Sequence, residues 1–144
     1  MRRSMLIFGT LLVVALAACS STPASTGPID RGAYPAGLSS AGAVTLHIHG
    51  NVGVSGVDDN KVAWENTDQR QQLVQLESGV HVLKVGYNDG KLQSSSPISL
   101  AAQLKSGGSF LLKAFRDDDN NVGFMVVSYV DGQEGEDVTL SLSR

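Results

Sequence analysis

From Ala43 onward, large apolar residues recur at every second position, the periodicity of strands with one buried face. Val44, Leu46 and Ile48 alternate with Thr45, His47 and His49, and Val52, Val54 and Val57 continue the pattern to a turn at Asp58-Asp59-Asn60. Short strands are expected at Lys61 to Trp64 and Gln71 to Leu76, with Leu73 and Gln71 facing away from Val74 and Leu76. Val80 to Tyr87 is the clearest strand, ending at Asn88-Asp89-Gly90, whose residues supply the positive φ that a tight hairpin needs. Leu92 to Ser95 is its expected return arm. Ile98 to Leu104, Phe110 to Phe115, Val122 to Val130 and Val138 to Leu142 complete the series, with the third and second of these joined across Asp117 to Asn121. No segment carries helical periodicity. The pattern predicts an all-β fold, an antiparallel two-sheet β-sandwich of the immunoglobulin or transthyretin kind with about eight strands over residues 43–144.

The leader has a different grammar. Met1-Arg2-Arg3 is a positive n-region and Met5 to Ala18 an apolar h-region, shorter than the about 20 residues that a spanning helix needs. It ends in Leu16-Ala17-Ala18-Cys19, and Cys19 is the 1 cysteine of the chain. This run resembles the lipobox of bacterial lipoproteins. The resemblance implies residues 1–18 as a cleaved signal peptide and a diacylglycerol on the Cys19 thiol, with acylation (palmitate or a similar chain) of its new amino group. An unpaired thiol in an exported protein is uncommon, and lipidation removes that anomaly. Ser20 follows instead of the Asp that favours inner-membrane retention, so the same family rule implies an outer-membrane protein facing the periplasm.

Residues 19–42 are rich in Ser, Thr, Ala, Pro and Gly, a composition that buries little surface and reads as a flexible tether. Tyr34 and Leu38 are its sizeable side chains with scope to pack on the domain. Cleavage before Cys19 takes 18 residues from 144 and leaves 126, enough for one domain with a core. It also removes Arg2 and Arg3, leaving 9 Lys+Arg against 14 Asp+Glu, a charge of −5. An acidic chain without a basic cluster argues against a nucleic-acid partner. Leu76 to Tyr87 and Leu104 to Leu112, read with Val57-Asp58, are similar to the leucine, glycine, histidine and alternating-strand run of PEGA-like small β lipoprotein modules. That similarity implies a displayed β module without known catalysis.

His47 and His49, two apart on one strand, share a face and offer two imidazoles to zinc or copper, with His81 the remaining histidine. The plainer reading leaves them on the exposed face. Asp117, Asp119 and Asn121 have the spacing of the first half of a calcium loop, but Val122 stands where glycine is needed and Ser128 where a bidentate Glu is needed. The acidic turns at Asp58-Asp59, Asp117 to Asp119 and Asp131 to Asp137 read as solvated ends, and if clustered they would meet a basic partner. Trp64, beside Lys61, Glu65 and Asn66, is a candidate for stacking on a sugar, against the commoner role of core tryptophan. No nucleophile elbow or paired-acid motif stands out. The expectation is a non-enzymatic binding or scaffolding module of the envelope, without a cofactor. Its partners are the membrane, through the lipid, and an envelope protein or peptidoglycan. The alternative is a periplasmic metal-binding module built on His47 and His49.

Overall fold

Alternation along the chain becomes alternation across two stacked sheets. A computed structural model describes residues 27–65 and 68–143; the signal segment, Cys19 and Asn66 lie outside them. Eleven strands follow in order: β1 (Ile29–Tyr34), β2 (Val44–Ile48), β3 (Val52–Val57), β4 (Asn60–Trp64), β5 (Gln72–Leu76), β6 (Gly79–Tyr87), β7 (Ile98–Leu104), β8 (Ser109–Arg116), β9 (Val122–Val130), β10 (Gln133–Asp137) and β11 (Thr139–Ser143). Sheet A has the order β1-β5-β2-β8-β9-β10 and sheet B the order β11-β7-β6-β3-β4. The fold is all-β and sandwich-like, as the periodicity predicts.

Three expectations need correction. The strand count is 11 instead of about eight, and sheet A is mixed, because β1 runs parallel to β5 and β2 parallel to β8. Periodicity fixes faces and leaves strand direction open. Second, the tether expected over 19–42 gives up residues 29–34 to β1. Main-chain pairing to β5 orders this sequence of low hydrophobicity, and Arg31 Nε donates to Gln72 Oε1 at 2.6 Å. Third, Leu92 to Ser95 is no strand: a single bridge joins Asn88 to Gln93, and β6 pairs instead with β7.

The strand missed near the end, β10, has the sequence QEGED and is exposed throughout, so it carries no apolar signal. Its turn does carry one. Asp131 and Gly132 both have positive φ, and the Asp-Gly pair between Val130 and Gln133 is the strongest short hairpin signal there is. Asp58 and Asp59 make the same kind of two-residue loop between Val57 and Asn60.

Between the sheets lies one core. Val44, Leu46, Ile48, Val74, Leu76, Phe110, Leu112, Phe124 and Val126 of sheet A meet Val52, Val54, Leu83, Val85, Leu100 and Leu104 of sheet B. Of the two buried polar side chains among the described residues, His81 on β6 and Gln72 on β5, it is Gln72 that is fully enclosed. Its Oε1 accepts from Arg31 and its Nε2 donates to the Trp64 carbonyl oxygen at 3.3 Å, so one amide ties β1, β5 and β4 across both sheets. Gln72→Leu roughly keeps the volume and removes the partner of Arg31 Nε and one donor to the Trp64 carbonyl oxygen. We expect it to destabilise the protein by about 1–3 kcal/mol, read from the urea midpoint. An unchanged midpoint would show that the amide is not a tie.

Candidate functional site

The inner face of β2 being Val44, Leu46 and Ile48, its outer face carries His47 among half-buried neighbours. His47 Nε2 lies 3.0 Å from Ser109 Oγ, its Nδ1 lies 3.4 Å from Gln71 Nε2, and Tyr129 meets the ring edge-on at 4.8 Å. Burial lowers the His47 pKa below its usual value, which favours the neutral ring. The Gln71 amide at Nδ1 and the Ser109 hydroxyl at Nε2 thus give both ring nitrogens polar partners.

His49 lies one residue beyond β2 and is exposed. Its Nδ1 is 2.8 Å from Asn51 Oδ1. The two imidazoles thus have separate partners, and among the described residues no group of three or more His, Cys, Asp or Glu side chains is placed to hold a metal ion. The geometry does not assemble the pair into a metal centre. His81 is elsewhere, on sheet B and nearly buried, with Nδ1 2.6 Å from Asp58 Oδ2 and Nε2 2.7 Å from the Glu77 carbonyl oxygen.

Trp64 is turned inward. It is 8 % exposed, belongs to the core, and meets Tyr34 edge-to-face at 5.6 Å between centroids, so its ring is spent on packing instead of on a sugar. This contact also shows how β1 is held to the body: Tyr34, placed in the tether by composition, packs against the core.

The acidic turns do not converge. Asp117 to Asn121 joins the end of β8 to the start of β9, whereas Asp131 and Gly132 follow the far end of β9. Nor are they simply solvated. Asp117 accepts from the Asn121 main-chain N–H at 2.8 Å and from Asn121 Nδ2 at 3.0 Å, bonds that hold its carboxyl below the usual carboxylate range. Glu134 pairs with Lys113, and Asp58 Oδ1 accepts from Val82 N–H at 2.9 Å.

Among the described residues, recesses open on the surface at two places that bear on function. A cavity of about 470 Å³ lies at the end where β1 begins, lined by His49, Gly50, Asn51, Gln69, Gln71 and Asp89. Gly50 is obligatory there, because a Cβ on it would stand 2.1 Å from the Gln69 carbonyl oxygen. Asp89 is held ionised down to about 2, first by the main-chain N–H of Leu92, then by those of Lys91 and by the Tyr87 hydroxyl, with Arg116 nearby. An unfolded Asp takes up its proton near pH 3.9. Between these values the unfolded chain binds a proton that the folded one does not. The stability Asp89 contributes is therefore full above about pH 4 and lost as pH falls through about 2. The stability gap between the wild type and Asp89→Asn should accordingly narrow from pH 5 to pH 2 in thermal melts. A constant gap would show that these bonds do not favour the ionised form.

The second recess is a groove of about 290 Å³ on the outer face of sheet B. Gly53 of β3 and Gly86 of β6 stand opposite each other in register, and with Ser55 they form its floor. Ser94, Ser95, Ser96 and Pro97 form one wall, Glu65 stands at the other side, and Asn88 and Gln93 close an end. Sequence reasoning did not pick out this set. The signal available to it was the pair of glycines interrupting two otherwise alternating strands, ahead of a triple serine. No protein family, curated protein or solved structure matches this chain.

Proposed function

We propose that the protein is a lipoprotein of the bacterial outer membrane, anchored through Cys19 and facing the periplasm. Its sandwich, an immunoglobulin- or transthyretin-like display scaffold, acts as a non-enzymatic binding or scaffolding module of the cell envelope. The observation that carries the binding role is the groove over Gly53 and Gly86, where hydroxyl, amide and carboxylate groups surround a floor that two facing glycines leave bare at its centre. The lipobox at Leu16-Ala17-Ala18-Cys19 carries the location.

The location is tested by mass spectrometry of the mature amino terminus, together with density separation of the two membranes. A triacylated Cys19 peptide in the outer-membrane fraction is the expected result. An unmodified Cys19, or protein confined to the inner membrane or cytoplasm, would overturn the reading.

A further inference from the structure

We infer that the groove on the outer face of sheet B is a saccharide site, and that its ligand is the glycan strand of the cell wall. The inference rests on the envelope location proposed above and adds to it the site and the class of ligand.

The first argument is the floor. β3 and β6 are interior strands, and Gly53 and Gly86 pair across them in mid-strand. Glycine inside a strand weakens it, through lost chain entropy and missing packing. At Gly86 the fold does not demand it. The residue lacks a positive φ, and a Cβ there would meet nothing closer than Ser94 at 3.9 Å, an ordinary contact. What glycine does provide is bare backbone against which one face of a pyranose ring can lie.

The second argument is the wall. Ser94 N–H donates to the Tyr87 carbonyl oxygen at 2.8 Å, and Ser94 Oγ accepts from Tyr87 N–H at 2.7 Å, so this segment is pinned beside β6. Past that pin, Gln93, Ser95 and Ser96 are exposed, as is Glu65 opposite. Among the described residues these four side chains have no hydrogen-bond partner within the protein. They present hydroxyls, an amide and one carboxylate, the donors and acceptors that sugar hydroxyl and acetamido groups pair with.

The third argument chooses between sugar and peptide. One mode of peptide capture is the addition of an extended strand to an open sheet edge. Here β3 is already paired with β4 and β6, and β6 with β3 and β7, so neither floor strand has a free ladder. Side-chain groups around a bare floor suit a hydroxyl-rich ring better. The volume, about 290 Å³, lies at the small end of ligand sites, fitting one sugar unit with the rest of the strand running over the sheet.

The test uses the full-length protein in detergent micelles, followed by amide NMR and titration calorimetry. Three probes are compared: peptide-free glycan strands, a β-1,4-linked N-acetylglucosamine tetramer, and the isolated stem peptide. Glycan or tetramer should shift the amides of Gly53, Gly86 and Ser94 to Ser96, and the stem peptide should not. Gly86→Ala should leave the melting temperature unchanged or raised, yet weaken glycan binding by about tenfold or more. The double replacement Ser95→Ala, Ser96→Ala, on an exposed segment, should weaken it without altering the melt. The proposal is overturned if both glycan probes leave those amides unmoved, if only the stem peptide moves them, or if Gly86→Ala binds glycan as the wild type does. Acylation of Cys19 and membrane fractionation are read without any ligand, so a failed titration leaves the anchored-module reading to its own test.

Discussion

Replacing Cys19 with alanine is expected to abolish incorporation of labelled palmitate and to empty the outer-membrane fraction of this protein. The chain has 1 cysteine, so no second thiol can take the diacylglycerol. Each buried methylene contributes about 0.8 kcal/mol to membrane affinity, and one acyl chain holds only marginally while two or more hold stably. On the proposed reading, losing the acceptor atom removes the whole anchor, not a fraction of it. The apolar leader Met5 to Ala18 is no substitute, being shorter than the about 20 residues of a spanning helix. Because Cys19 precedes the first strand at Ile29, the thermal unfolding of the sandwich should be unchanged. Continued palmitate labelling of the variant would refute the lipobox reading outright.

The second large effect belongs to the centre of the sandwich. Phe124 of β9 is 1 % exposed and is among the largest fully buried side chains, lying in the core that both sheets share. Phe124→Ala should cost about 3–5 kcal/mol, the lost transfer energy plus the cavity left behind. Domains of this kind are stable by about 5–15 kcal/mol, so the variant would lose a large share of that margin. The melting temperature should fall on the order of 10–25 °C. Val130, on the same strand but 62 % exposed, provides the control: Val130→Ser should stay within about 0.5 kcal/mol. Equal losses at the two positions would mean that burial does not fall away from the middle of β9 to its exposed end at Val130.

Burial on β8 and β9 also shows where periodic reasoning runs out. Phe110, Leu111 and Leu112 are all buried, and so are Val126 and Val127. Leu111 and Val127 face each other across the strands and lie outside the main core cluster. His47, paired with Leu111 in register, and Tyr129 therefore sit on an outer face that is partly apolar. Two histidines with one strand spacing consequently meet different surroundings: His47 is half-buried, and His49, beyond the strand end, is exposed.

Spacing alone determined the all-sheet class, the faces of β2 and β5, and the turn at Asp58-Asp59, because alternation and turn chemistry are local. The resemblance of Leu16-Ala17-Ala18-Cys19 to a lipobox rests likewise on contiguous residues. The parallel pairings of β1 and β2, the inward turn of Trp64, the Gln72 tie and the glycine-floored groove were settled only by tertiary structure. Each depends on residues far apart in sequence meeting across strands: Arg31 with Gln72, Tyr34 with Trp64, Gly53 with Gly86. Periodicity says which way a side chain faces; which strand lies beside it is decided by the closing of the whole core.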